Sequence, residues 1–373
     1  MKATTKRLFA MILAAAMAVA TLTGCGGSGG GTQGGGSAAS SGGADDGKTY
    51  TLSFATHLTE TSVDGASLKY YLEQVTEATG GRLQFDMSFG GALVSATDSL
   101  TAVSSGLVDL AFVPEGFFET QMYPTFVATL PYMTTSEWVA NKALTEMFNT
   151  YEPFQKMCDD ANVHNVGVVC PSEVVIISNK EIKGIDDMKG LKIRAMGAVN
   201  EEMKTLGAAP VTMAASEVYE ALERKTVDAA TGLPITLSTN FKLQEVSKHF
   251  IFSGIGTYTT SSMYMNKDVW ESLPADLQEA FATVYDSFVD VYSGDQFMTT
   301  ALQDSVQAVK DAGGSVDVLS EEQRQVWKDT LSGMYDNFVK SADSYGYNGQ
   351  EILDKYQALV EKYQPDDISY QLY

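Results

Sequence analysis

The chain has 373 residues, with 47 acidic side chains against 25 basic ones and only three each of Cys, His and Trp. A formal charge of −22 argues against nucleic-acid binding through a basic face. A hydrophobic fraction of 44% with 10% aromatic residues excludes disorder over most of the length and suffices for two cores rather than one.

Lys2, Lys6 and Arg7 precede an uncharged, mostly apolar run from Leu8 to Ala20. This is the pattern of a signal peptide over residues 1–24, too short to span a bilayer as a mature helix. Its removal takes the net charge from −22 to −25, because the segment holds three basic residues and no acid. Leu22-Thr23-Gly24-Cys25 resembles a bacterial lipobox, which makes Cys25 the expected lipid-attachment residue and membrane anchor. Ordinary secretion, with Cys25 incidental, is the alternative. Residues 25–47 place 11 of the chain's 33 glycines in 23 positions. Such a segment cannot build a core and reads as a tether with a reach of roughly 26 Å. Gly26-Gly27-Ser28-Gly29-Gly30 and Gly29-Gly30-Gly31-Thr32-Gln33-Gly34 match a hydrolase elbow and a dinucleotide loop in letters only, with no strand before or helix after.

In the body, Tyr50–Ala55 alternates as a strand, and Leu68, Tyr71, Leu72 and Val75 recur at helical spacing until Gly80-Gly81. Arg82–Met87 follows as a strand, a helix runs from Ser95 to Ser105, and Leu110–Val113 is a short buried strand. This β-α-β-α-β order predicts a largely parallel sheet. Thr134 and Glu137 form a capping box for a helix over about 136–149, more helix follows Pro153, and Val163–Val169 returns to the sheet. Cys158 and Cys170 sit too far apart along these elements to meet, so two buried thiols are expected. After Pro171, strands at Val174–Ser178, Lys192–Ala195 and Val227–Ala230 and helices at Asn200–Leu206 and Glu217–Arg224 have the size of a second α/β lobe. Thr257–Met265 is a further strand. From Ala275 to Ala312 apolar residues drift round a helical face, predicting a rod of about 57 Å across both lobes, with Gly294 the place where a kink would fall.

Ile182–Ala230 resembles the solute-binding subunit of tripartite ATP-independent periplasmic (TRAP) transporters, the dicarboxylate-receptor family. The resemblance is carried by DMKGLKIR ending at Arg194, LGAAPV at Leu206–Val211, SEVYEAL at Ser216–Leu222 and YMNKDVWESLP at Tyr264–Pro274. In the first half, TGGRLQFDMSFGGAL at Thr79–Leu93 and SGLVDLAFV at Ser105–Val113 fit the same pattern. It implies an α/β, two-lobed periplasmic-binding-protein-like fold with a long lobe-spanning helix. Lobe I comprises 48–171 plus about 260–299, and lobe II 172–259 plus about 300–373. It further implies capture of a small organic acid, delivery to a membrane permease, a location outside the cytoplasm, and no catalysis, cofactor or metal.

Arg194 matches the family's ligand-binding arginine, and its planar, permanently charged fork suits a carboxylate. Two departures bear on the ligand. Ala229-Ala230-Thr231-Gly232-Leu233-Pro234 lacks the amide many relatives carry, and Ser172-Glu173-Val174-Val175 stands where some have another arginine. A monocarboxylate with an apolar or hydroxylated body is therefore expected ahead of a dicarboxylate, with Thr231 or Thr236 offering a replacement hydroxyl. Met196, Gly232, Pro234 and Glu173 join Arg194 on this side. From the first lobe, His57 and Thr59 follow the first strand, Gly90 and Gly91 the second, and Glu115 with Phe117 and Phe118 the third. Free N–H groups at Gly90 and Gly91 would approach an anion, and a plain turn is the competing reading. A receptor for an ATP-driven importer or for chemosensing is the alternative function. An enzyme is disfavoured because His57, His164 and His249 are scattered and the body holds no HExxH, CxxC or hydrolase motif.

Overall fold

The computed structural model describes residues 47–370. The expected signal peptide, Cys25 and all but the end of the tether lie outside the described residues.

The first sheet is built from β1 (Tyr50–Ala55), β2 (Leu83–Ser88) and β3 (Leu110–Pro114), linked by α1 (Val63–Ala78) and α2 (Ser99–Ser104). Helix α1 starts where the Ser62 hydroxyl accepts from Gly65 N–H, and it buries Leu68, Tyr71, Leu72 and Val75 along one stripe. Gly80 and Gly81, at φ 60° and 81°, turn the chain after it. Next come α3 (Glu119–Met122), α4 (Glu137–Thr150), α5 (Glu152–Asp160) and β4 (Val163–Val168). The cap of α4 lies two residues beyond the expected box. The Ser136 hydroxyl accepts from Val139 N–H at 3.0 Å, while the Thr134 hydroxyl holds Ser136 N–H at 3.1 Å.

The chain then crosses to the second sheet through β5 (Val174–Ser178), β6 (Lys192–Arg194), α6 (Ala198–Thr205), β7 (Ala209–Val211), α7 (Val218–Glu223), β8 (Ala229–Pro234), α8 (Ile235–Asn240) and β9 (His249–Phe252). It returns with β10 (Ser261–Asn266), α9 (Lys267–Ser272) and α10 (Ala275–Ser293). The last elements are α11 (Met298–Asp311), β11 (Ser315–Val318), α12 (Glu321–Leu331), α13 (Gly333–Ser344) and α14 (Gly349–Tyr363). Strand order is β2-β1-β3-β10-β4 in one sheet and β11-β9-β5-β8-β6-β7 in the other.

Each sheet is parallel except for one strand. That strand is β10 in the first sheet and β5 in the second, each antiparallel to both its neighbours. Both are the first strand after a crossing. A chain entering at the carboxyl edge, where its predecessor left the other sheet, must run away from that edge. The carboxyl edges of the remaining strands therefore face the crossings, which is where an open α/β sheet forms its crevice.

The expected continuous rod is two helices. Gly294 takes an extended conformation, and a Cβ there would stand 2.8 Å from the Asp290 carbonyl oxygen, so the chain leaves the helix at this point. Helix α10 packs on α1, α4 and β4, whereas α11 packs on α8 and β11. Each half serves its own lobe. The expected assignment of 300–373 to lobe II also needs correction beyond α12. Helices α13 and α14 return to the first lobe, with α14 lying on α4. The Tyr123 and Phe338 rings stack at 5.4 Å, and Tyr363 Oη donates to Glu146 at 2.6 Å. The apolar stripe Ile352, Leu353, Tyr356, Leu359 and Val360 needs a partner face, and α4 supplies it. Cys158 and Cys170 are buried free thiols, both pushed up in pKa by burial.

Candidate functional site

Strand β6 lies between β8 and β7 and ends at Arg194, on the carboxyl edge of the second sheet. The side chain is wholly buried. Its Nε and Nη2 donate to the Met213 carbonyl at 3.1 and 3.0 Å, and Nη1 donates to the Thr231 carbonyl at 3.0 Å. A guanidinium has five N–H donors, so one on Nη1 and one on Nη2 remain without an acceptor among the described residues. Among the described residues no carboxylate pairs with it. Burial presses its pKa downward, and the nearby Tyr258 phenol acts in the opposite direction. A buried cation without a counter-charge is costly, and a guanidinium cannot shed its proton to relieve that cost.

Strand β8 is shaped around this group. Ala230 pairs with Ile177 and Leu233 with Val175, so Thr231 and Gly232 together oppose the single residue Ile176. Such a bulge turns backbone and side chains out of the ladder. Here it gives the Thr231 carbonyl to Arg194 and leaves the Thr231 hydroxyl enclosed with no hydrogen-bond partner among the described residues. Gly232 has φ +75°, and a Cβ there would sit 3.5 Å from Arg194 Nη1 and 3.8 Å from Met196 N. Met196 is half-buried on the adjoining loop, and Pro234 is buried at the end of the strand, leading into α8. Arg194, Thr231, Gly232 and Met196 thus lie together at this edge of the second sheet.

The first-lobe residues divide. His57 is half-buried with its ring stacked on Phe112 at 5.9 Å, and its Nδ1 is enclosed with no partner among the described residues. Burial holds its pKa below the usual imidazole value, so the ring is neutral at pH 7. Thr59 is exposed, and its carbonyl accepts from Ser62 N–H at 3.1 Å and from the Ser62 hydroxyl at 2.8 Å. Gly90 and Gly91 do not offer free donors. Gly90 N–H donates to the Leu58 carbonyl at 2.7 Å and Gly91 N–H to the Thr56 carbonyl at 3.0 Å, and both have φ 71°, so they form the turn and not an anion nest.

Two carboxylates leave the expected set for the same reason, that each is committed elsewhere. Glu115 is fully buried in the first lobe, where Tyr264 Oη donates to its Oε1 at 2.6 Å. Burial raises its pKa. Glu173 braces the crossings: its Oε1 accepts from Gly254 N–H at 2.6 Å, beside the bond from Val174 N–H to the Gly256 carbonyl at 3.0 Å.

Sequence reasoning missed Met213 and Tyr258. Met213 contributes a carbonyl, which any residue carries, so no side-chain signal marks it. Tyr258 lies on the segment from β9 to β10, which the alternating pattern reads as strand from Thr257. Gly254 and Gly256, at φ +83° and +101°, mark that segment as a crossing instead. Burial and the Asp64 carboxylate push the Tyr258 phenol up to about 12, with Arg194 acting in the opposite direction. Among the described residues no helix is long and apolar enough to cross a membrane, and no group of three or more His, Cys, Asp or Glu is placed to hold a metal.

Two α/β lobes joined by crossing segments, with a buried cation at a carboxyl edge, define the class of solute-binding proteins. Residues 54–342 match the family model for bacterial extracellular solute-binding protein, family 7, known as DctP, and the chain belongs to that family. The family and the fold are those of solute-binding proteins and not of enzymes. The C4-dicarboxylate-binding periplasmic protein DctP of Rhodobacter capsulatus is 32% identical over 169 residues, covering 44% of this chain and 50% of that protein. The matched stretch is thus only half of that relative's length. Among solved structures, a TRAP periplasmic solute-binding protein from Desulfovibrio salexigens superposes with a TM-score of 0.77 at 22% identity, over 87% of this chain and 98% of that one. A TRAP solute-binding protein from Rhodoferax ferrireducens, in complex with copurified benzoate, gives 0.73 at 22% identity, over 85% and 99%.

Proposed function

We propose that this protein is the extracytoplasmic receptor of a TRAP-type transporter. It captures a small organic monocarboxylate between its lobes through Arg194 and delivers it to a membrane permease. The observation that carries this reading is a fully buried guanidinium with two unused N–H groups and no carboxylate partner among the described residues. A ligand carboxylate supplies the missing charge in the plane of the fork. The enclosed Thr231 hydroxyl and the neutral His57 ring then offer polar contacts from the two lobes, while Gly232 and Met196 border the fork.

A second arginine does not stand at residues 172–175, which favours one carboxylate over two. Benzoate in the Rhodoferax protein is a ligand of that kind, although the Rhodobacter relative is named for C4 dicarboxylates. Cys25 is the proposed lipid-attachment residue, holding the body near the membrane through the Gly/Ser-rich segment. Closure of the lobes about the crossings is the proposed motion.

Calorimetric titration with a panel of monocarboxylic acids tests this. The wild-type protein is expected to bind at least one of them, and Arg194→Ala to lose roughly 3–5 kcal/mol of that affinity, the cost of removing one partner of a buried ion pair. Unchanged affinity in the variant removes the assignment.

A further inference from the structure

The first turn of α1 follows the carboxyl end of β1 and so lies on the crevice side of the first sheet. Asp64 is in that turn and half-buried. Its Oδ1 accepts from Tyr292 Oη at 2.8 Å. The same hydroxyl lies 3.2 Å from the carbonyl of Cys170, on the segment crossing from β4 to β5. Tyr292 itself is fully buried in the last turn of α10, immediately before the break at Gly294. The carboxylate is therefore pinned to the floor where the chain passes between lobes. Its Oδ2 accepts no hydrogen bond from any other described residue and is not sealed in.

Two neighbours define what Asp64 faces. Tyr258, on the other crossing, is within electrostatic reach of both Asp64 and Arg194, and its hydroxyl makes no hydrogen bond with another described residue. Glu137, the other carboxyl in reach, has its pKa pushed up to about 8 by burial, so it is uncharged at neutral pH. The crevice thus holds a cation at the edge of one sheet and a carboxylate with an open oxygen at the edge of the other, with a phenol in reach of both.

Resting on the reading of Arg194 as the carboxylate anchor, we infer that Asp64 is a specificity-determining residue that selects acids bearing a hydrogen-bond donor, hydroxyl or ammonium, at the end away from the carboxylate. The donor fills Oδ2, which burial would otherwise leave poorly solvated. Burial raises the Asp64 pKa and the Tyr292 hydrogen bond lowers it. In its ionised form Asp64 would meet a second carboxylate at that end as a like charge, so the same residue disfavours dicarboxylates.

The test uses two matched sets: butyrate with 3-hydroxybutyrate and 3-aminobutyrate, and benzoate with 3-hydroxybenzoate and 3-(aminomethyl)benzoate. Affinities are measured by calorimetry on the full mature protein. In the set that fits the cleft, wild type is expected to bind a donor-bearing member at least tenfold more tightly than the parent acid. Asp64→Ala is expected to bring the members within about threefold while the parent's affinity changes less than threefold. Asp64→Asn keeps the shape and removes the charge, so it separates the two donor types: an ammonium preference collapses, a hydroxyl preference falls less. Tyr292→Phe, which leaves the carboxylate in place but unpinned, gives an independent reading if the Asp64 variants melt early, and a reduced preference is expected.

Equal or tighter binding of the parent acid in both sets overturns the inference, as does a preference that survives both Asp64 substitutions. If all affinity requires Arg194 while Asp64 makes no difference to preference, the receptor reading stands and this inference falls. If no acid in either set binds the wild-type protein, both fall.

Discussion

The buried acids of the first lobe and the buried arginine of the second carry their charge in opposite ways. In the first lobe, Glu115 and Glu137 are almost wholly buried, and burial raises the pKa of each. Glu115 has the Tyr264 hydroxyl as a donor and Glu137 rises to about 8, so a carboxyl that cannot find a cation becomes neutral. In the second lobe Arg194 is just as deeply buried but has no such escape, because guanidinium holds its proton at any accessible pH. The difference teaches where to look for a ligand. A buried acid without a cation can take up a proton, whereas a buried arginine without an anion calls for one from outside.

The largest expected effect comes from giving the second lobe the first lobe's escape. Lysine can lose its proton when buried, and it lacks the planar fork. Arg194→Lys is expected to weaken capture by about 100-fold in titrations at pH 7, with the residual affinity falling further as pH rises. Affinity within threefold of wild type at all pH values would break the comparison.

Removing the escape from the first lobe is the complementary case. Glu137 has a folded pKa of about 8 against an ordinary value of 4.5, so the folded state binds the extra proton. Its favourable contribution is complete below pH 4.5 and is lost as pH rises towards 8. Within that window the slope is about 1.4 kcal/mol per pH unit. Glu137→Gln should flatten this part of the stability profile in urea melts taken at pH 5, 6.5 and 8. An unchanged slope would sever the link to Glu137.

Smaller effects separate the two glycine-bearing turns. Thr231→Val deletes a hydroxyl that has no partner among the described residues, so stability should hold or rise by about 1 kcal/mol while affinity drops several-fold. Gly90→Ala puts a Cβ at φ 71° in a turn whose N–H is already bonded within the protein. A melting experiment should show a loss of about 1 kcal/mol, with ligand affinity within twofold. A tenfold affinity loss would restore Gly90 to the site.

The strands were legible because their hydrophobic runs have strand length: Val174–Ser178 falls where the pattern puts it, and Tyr50–Ala55 likewise. The place of Arg194 at the end of a strand was legible from the motifs around it. Other features depended on tertiary context. Nothing in the alternation of Thr257–Met265 says that its first residues bridge two sheets. The stripe on Ile352–Val360 announces a buried helix face but not which lobe buries it. Gly90 and Gly91 read equally as donors or as a plain turn, because a sequence cannot show that the Leu58 and Thr56 carbonyls already accept their protons. Gly294 carried a readable signal, yet only packing settles that the helix on each side keeps to its own lobe.

The return of α13 and α14 to the first lobe has a mechanical consequence. Both the opening strand and the last helix of the described body belong to that lobe, so within the described residues the second lobe is a closed excursion of the chain. A label or pulling handle placed just before β1 or just after α14 would therefore hold the first lobe and leave the arginine-bearing half untouched.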